Sequence, residues 1–188
     1  MPPTVKLTKE DIIRATLELI REKGADAVNS RSIALALGCS TQPIFSNFSS
    51  MEELDAAVLA AANERYQGFL ASEAVKGEYP PYKSFGMAYI RFAKEERELF
   101  KLLFMRDMRG KEFVPTADFE ESVQMIMSSN GVSYETANLI HLEMWVCVHG
   151  IATMLATSFL ELDFELVSNM LTDVYQGVRA RRMLEEKQ

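Results

Sequence analysis

Cysteine is nearly missing from this chain. The two in 188 residues, Cys39 and Cys147, make no disulfide framework, and their separation matches no metal-binding spacing. Each reads as a small apolar filler. Histidine is as sparse: His141 and His149 have no third ligand in the pattern, so neither a metal nor a cofactor is expected. The N-terminal Met1-Pro2-Pro3-Thr4-Val5-Lys6-Leu7 lacks the apolar core of a signal peptide. No apolar run approaches the roughly 20 residues that span a bilayer. The expectation is a reduced, cytoplasmic protein with no membrane partner. Internal repeats, a nucleophile–base motif, a phosphate loop and convincingly paired carboxylates are absent too, so an enzyme is not expected. Positive charge is scarce: 20 Lys and Arg against 27 Asp and Glu leave a net charge of -7. Indiscriminate nucleic-acid binding needs clustered cations and is disfavoured, although a small reading head can sit on an acidic body. Apolar material is plentiful, at 48% with 11 Phe and 11 Met, ample for a buried core.

The apolar spacing is helical nearly throughout, and no strand is needed: the fold class is all-α. Thr8 with Asp11 three residues on has the spacing of a capping box. A first helix follows, carrying Ile12, Ile13, Ala15, Leu17, Leu19 and Ile20 until Lys23-Gly24. A second, Ser30 to Leu37, buries Ile33, Ala34 and Leu37 and ends at Gly38. Ser40 is positioned to cap a third, Thr41 to Asn47, with Pro43 tolerated in its first turn. Ser50 caps a fourth, about 51–72, with Glu52 and Glu53 favoured by the helix dipole. Lys76-Gly77-Glu78-Tyr79-Pro80-Pro81 is a break. Beyond it come helices over Tyr82 to Glu96, Leu99 to Met108, Phe119 to Ser128, about Ser133 to Leu160, and about Phe164 to Met183.

Three short helices before a long one, with a tight Gly38-Cys39-Ser40 turn, have helix-turn-helix spacing. There the second motif helix lies in the major groove and its first residues meet base edges. Thr41, Gln42, Ser46 and Asn47 supply donors and acceptors, and Gln or Asn pairs bidentately with adenine. Ile44 and Phe48 face inward. A connecting helix in a bundle is the alternative for a bare glycine turn.

The wider stretch resembles the TetR/AcrR family of transcriptional regulators. Ile12 to Gly24 looks like that family's first helix. Ser30-Arg31-Ser32-Ile33-Ala34-Leu35-Ala36-Leu37-Gly38-Cys39-Ser40 is similar to its second helix and turn. Ile44-Phe45-Ser46-Asn47-Phe48-Ser49-Ser50-Met51-Glu52-Glu53-Leu54 resembles its recognition helix and the entry to the fourth, and the likeness covers about Ile12 to Leu59. It implies a DNA-binding domain over 1-55, the fourth helix as connector, and an effector-binding and dimerisation domain over 56-188. It also implies base contacts from Thr41, Gln42 and Pro43, and phosphate or base contacts from Ser30, Arg31, Phe45, Ser46 and Asn47. Position 45 is usually tyrosine in the family and position 51, a backbone contact, usually lysine. Phe45 has no hydroxyl and Met51 no ammonium, so the expected grip on phosphate is light. Backbone N–H groups at the start of the fourth helix, with Lys6 and Lys9, are the expected substitutes.

The last two helices carry apolar residues beyond one face, and the resemblance implies a homodimer there, through Val146, Gly150, Met154, Phe164, Val167, Leu171 and Val174. The Trp145-x-x-x-His149-Gly150 segment looks like the mark of one C-terminal subgroup. His149 reads either as a core or interface histidine or as a polar handle in a ligand pocket. Phe85, Tyr89, Phe92, Phe104, Met105, Met108, Phe119, Met125 and Met127 suit either plain core or an adaptable cavity. With Trp145 and His149, they are the candidate lining for a small apolar effector. The partners expected are double-stranded operator DNA, a second copy and that effector. The resulting function is a ligand-responsive regulator, a repressor released by its effector. The competing reading is a helical dimer that binds a ligand or protein and whose DNA binding is weakened.

Overall fold

The computed structural model of the chain describes residues 7–107, 109–110 and 117–187. Among them the secondary structure is helical, without strands. α1 (Lys9–Lys23) opens on the expected capping box: the Asp11 N–H donates to Thr8 Oγ1 and the Thr8 N–H to the Asp11 carboxylate, both at 3.2 Å. It ends at Gly24, whose φ of +81° an L side chain rarely adopts. A short 3-10 turn (Ala25–Ala27) leads to α2 (Ser30–Ala36). A capping box unforeseen in sequence starts α2: Asn29 Oδ1 accepts from the Arg31 and Ser32 N–H groups, and Ser32 Oγ accepts from the Asn29 N–H.

α2 ends as its glycine requires. Gly38 is left-handed at φ +63°, the Cys39 N–H reaches the Ala34 carbonyl, and the Gly38 N–H reaches that of Leu35. Leu37, expected to be buried, is only half so, because the chain is already turning there. α3 (Gln42–Asn47) begins one residue later than the spacing predicts. Its N-cap is Thr41, itself helical in φ and ψ, and no side chain caps it, so Ser40 does not have the expected role. Pro43 does lie in the first turn. α4 (Met51–Ala74) starts with Ser50 Oγ accepting from the Glu53 N–H. α5 (Pro81–Glu95), α6 (Arg97–Phe104), α7 (Ala117–Asn130), α8 (Tyr134–Ala156) and α9 (Phe164–Glu185) complete the order. The helix expected to reach Met108 ends at Phe104, because the backbone leaves helical φ and ψ at Met105; Met108 itself lies outside the described residues. α8 stops four residues short of Leu160, where Ser158 turns left-handed.

The chain divides into two compact units. One runs through Gly68 and takes in Glu96–Arg106; the other takes Phe69–Glu95 and the chain from Asp107 on. In the first, α1 contributes Ile12, Leu19 and Ile20 to the core, α2 Ile33, and α3 Ile44 followed by Phe48. α4 adds Leu54, Val58, Ala62 and Tyr66. α6 packs on α1 and closes this core with Leu99 and Phe100, both fully buried. Glu96, just before α6, binds two helices at once. It receives Arg21 of α1 at 2.7 and 2.8 Å and Arg65 of α4 at 2.9 Å. Burial alone would raise its pKa, but the two guanidiniums hold the carboxyl below its usual range.

In the second unit α5, α7 and α9 pack around α8. α8 corrects one expectation: by length and composition it is apolar enough to cross a membrane, with a mean hydropathy of 1.5 over its best window. Its Ala137, Ile140, Met144, Val148, Ile151 and Leu155 form a stripe at helical spacing that is spent inside the unit, as a core helix spends it.

Candidate DNA-reading face and effector region

α3 places its side chains by a simple division. Ile44 and Phe48, four apart, are buried at 0% and 2% exposure and fasten the helix to its unit. Gln42, Phe45 and Ser46 are exposed, while Thr41, Pro43 and Asn47 are half-buried beside them. Ser30 and Met51 are half-buried and Arg31 is exposed. The residues predicted to read DNA thus share the first unit and lie along α2, α3 and the start of α4.

Their chemistry is more committed than the sequence suggests. Asn47 donates its amide to the carbonyls of Pro43 at 2.8 Å and Leu7 at 3.3 Å, and Ser46 donates its hydroxyl to the Gln42 carbonyl. The expected stand-ins for a position-51 lysine are engaged too. Lys9 Nζ lies 2.8 Å from Glu53 Oε1 and 4.9 Å from the centre of the Phe48 ring. The other oxygen of Glu53 takes both the N–H and the hydroxyl of Ser49 at 2.7 Å. Hydrogen bonds from Lys9 and then Ser49 hold the Glu53 carboxyl down at about 2. Lys6 lies outside the described residues. Arg31 makes no ion pair among them. Sequence reasoning placed Glu53 only in the field of the helix dipole; its spacing of three from Ser50 and four from Ser49 was the signal of a cap.

Residues 12–58 match the sequence signature of the bacterial regulatory proteins of the tetR family. Over that segment the chain is similar to the tetR-family N-terminal domain. Solved structures of similar fold agree over nearly the whole length. A TetR-like transcriptional regulator from Rhodococcus sp. RHA1 superposes with a TM-score of 0.68 at 17% identity, over 94% of this chain and 96% of its own. A TetR-family member from Streptomyces coelicolor A3 gives 0.60 at 19%, over 88% and 96%. A TetR protein from Acinetobacter baumannii AYE, in complex with minocycline, gives 0.57 at 18%, over 94% and 99%. No curated protein matches in sequence. The fold is therefore the one these solved structures share.

Beyond that segment, the residues of the predicted effector lining are divided between the two units. Phe104 stacks edge-on against Tyr66 at 5.1 Å and beside Phe100 at 5.2 Å, in the first unit, and Met105 of the same unit is exposed. Met108 lies outside the described residues. Phe92 is fully buried against Phe69, a core position. Phe85 and Met125 are half-buried. Tyr89, Trp145 and His149 do come together: Tyr89 Oη is 2.9 Å from His149 Nδ1, and the Trp145 and His149 rings are 6.1 Å apart. Burial pushes the His149 ring below its usual pKa and the Tyr89 phenol above, so both are neutral near pH 7. Beside them an open depression of about 460 Å³ is lined by Trp145, Val146, His149, Gly150, Thr153 and Met154 of α8.

The apolar outer face needs one correction. On α8, Leu142, Trp145, Val146 and Met154 are exposed, but on α9 Val167 and Leu171 are buried inside the unit, where they pack as core. Val174 is half-buried, and Phe164 is covered by the Arg91 and Lys94 cations at 5.1 and 4.9 Å. Leu166 and Met170 of α9, each one position before the expected pair, are exposed instead. One helical residue is about 100° of rotation, enough to exchange an inner for an outer face.

His141 is held by packing. It is buried, with Tyr82 Oη 3.0 Å from its Nδ1 and Phe119 edge-on at 4.4 Å. Burial holds its ring down at about 4, from 6.5. A group depressed in the folded state binds fewer protons there than in the unfolded chain. Its stabilisation is complete above about pH 6.5 and is lost as pH falls from there through 4, by about 3 kcal/mol in all. Denaturant midpoints measured between pH 7.5 and 4 should fall accordingly. His141→Gln should flatten that part of the profile.

Proposed function

We propose that the chain is a DNA-binding transcriptional regulator that works as a homodimer, a repressor released from its operator by a small, largely apolar effector. In this reading residues 1–55 read DNA and 56–188 bind effector and the second copy, in a cytoplasm that keeps Cys39 and Cys147 as free thiols. The observation that carries it is the start of α3, where exposed Gln42 follows the left-handed Gly38 turn in the segment similar to the tetR-family domain. The exposed stripes of α8 and α9 supply an apolar face for the second copy. The Trp145, His149 and Tyr89 group, in the segment that resembles the Trp-His-Gly subgroup, supplies a flat apolar surface with a neutral polar handle. Minocycline bound to the Acinetobacter protein is a precedent for an effector on this fold. Coupling is reciprocal: a true effector weakens operator binding by the same factor by which operator weakens effector binding.

Selection of genomic DNA fragments with the purified protein tests the reading. Gln42→Ala should cost about 1–3 kcal/mol in affinity per half-site of the selected DNA and relax preference at one base pair of each half-site. Asn47→Ala should cost less, because its amide is already bonded within the chain. Unchanged preference with Gln42→Ala would remove α3 as the reader. The competing reading, a helical dimer with weakened DNA binding, draws on the engagement of Lys9 and Asn47. Recovery of no enriched fragment would favour it.

A further inference from the structure

α3 is six residues long, so it spans about 9 Å at 1.5 Å per residue. A major groove is about 12 Å wide. With Thr41 and Gln42 at the base edges, the far end of α3 therefore comes close to a wall of the groove, which is phosphate. At that end the structure gathers the donors that bind phosphate in protein–DNA complexes: an ammonium, a hydroxyl and a backbone N–H. They are Lys9 Nζ, Ser49 Oγ and Ser49 N, and one carboxylate, that of Glu53, takes all three at 2.7–2.8 Å. The Lys9 and Glu53 side chains are 49% and 40% exposed, so the group faces solvent and is no part of the core. Phe48, at the end of α3, carries the Lys9 ammonium over its ring, and Asn47 holds the Leu7 carbonyl, which fixes the start of α1 at this same end.

Resting on the DNA-binding reading above, we propose that Glu53 is a built-in competitor for operator phosphate: it occupies Lys9 and Ser49 and keeps the affinity for DNA low. The alternative is that Glu53 only caps α4. Capping requires an acceptor, which glutamine also offers; competition requires the negative charge. The two roles therefore separate in Glu53→Gln.

The test uses the full chain and a labelled 30-base-pair duplex carrying the site recovered by fragment selection, titrated between low and moderate salt. Glu53→Gln should bind about tenfold tighter at about 0.1 M salt and steepen the slope of log affinity against log salt by about 1.8, the contribution of one phosphate contact from each of the two copies. Lys9→Ala should leave the slope of the native chain unchanged and abolish the gain in the Glu53→Gln background. Glu52→Gln, which removes the same charge one residue away, should leave the slope as it is. The proposal is overturned by a Glu53→Gln affinity and slope equal to native. It also falls if the gain survives Lys9→Ala, or if Glu52→Gln gives the same gain. Should Glu53→Gln not fold, Lys9→Ala alone decides: a slope shallower by about 1.8, one contact from each copy, means that Lys9 already meets DNA and sinks the idea. If neither the native chain nor Glu53→Gln selects any fragment, the DNA-binding reading fails and takes this inference with it. Selection by Glu53→Gln alone supports both.

Discussion

Val146→Arg is expected to leave the protein folded and monomeric. Val146 is 61% exposed on α8, so an arginine there displaces nothing inside the chain. In the proposed dimer the same position lies beside Leu142, Trp145 and Met154, further exposed apolar side chains of this face. An unpaired guanidinium trapped in such an interface costs about 3–5 kcal/mol, about two to four orders of magnitude in dimer dissociation. Sedimentation should show the change with the helical spectrum preserved. Operator affinity should fall by about 100-fold, since a monomer meets one half-site where a dimer meets two about 34 Å apart. A dimer of native strength would place the interface elsewhere.

Phe48→Ala should act from the inside. The ring is 2% exposed, its N–H closes α3 on the Ile44 carbonyl at 2.9 Å, and Lys9 packs over it. Truncating a buried phenylalanine costs about 3–5 kcal/mol. Here the loss is concentrated on a helix of six residues, too short to persist without tertiary support. Amide exchange over α2 and α3 should accelerate strongly, and DNA binding should disappear with it. Exchange as slow as native would mean that Ile44 alone holds the helix.

What the sequence declared openly were its local devices. Thr8 with Asp11, Gly38 and Pro43 act within four residues of themselves, and the structure uses each as the spacing implies. Partnerships across long separations left no such mark. Arg21 and Glu96 are 75 residues apart and Lys9 and Glu53 are 44 apart, and nothing in either neighbourhood names the other. Faces were ambiguous for another reason. α8 is apolar on both sides, one spent in the core and one left outside, so periodicity could not say which residues did which. On α9 the same ambiguity moved the predicted outer face by one residue onto Val167 and Leu171, which are core. At α3 the polar residue types were legible, but their prior hydrogen bonds were not. Asn47 and Lys9 look available in sequence and are occupied in the fold.

α6 sets a limit on modularity. The segment with the family signature ends at position 58, yet the core beneath it is finished by Leu99 and Phe100, and Glu96 ties α1 to α4. A fragment cut after α4 would expose the surface that α6 covers and strand Arg21 and Arg65 without their carboxylate. The reading head is thus no portable cassette. Grafted onto another protein without residues 96–106, it would lack part of its own interior, and any chimera has to carry that later stretch of chain along with it.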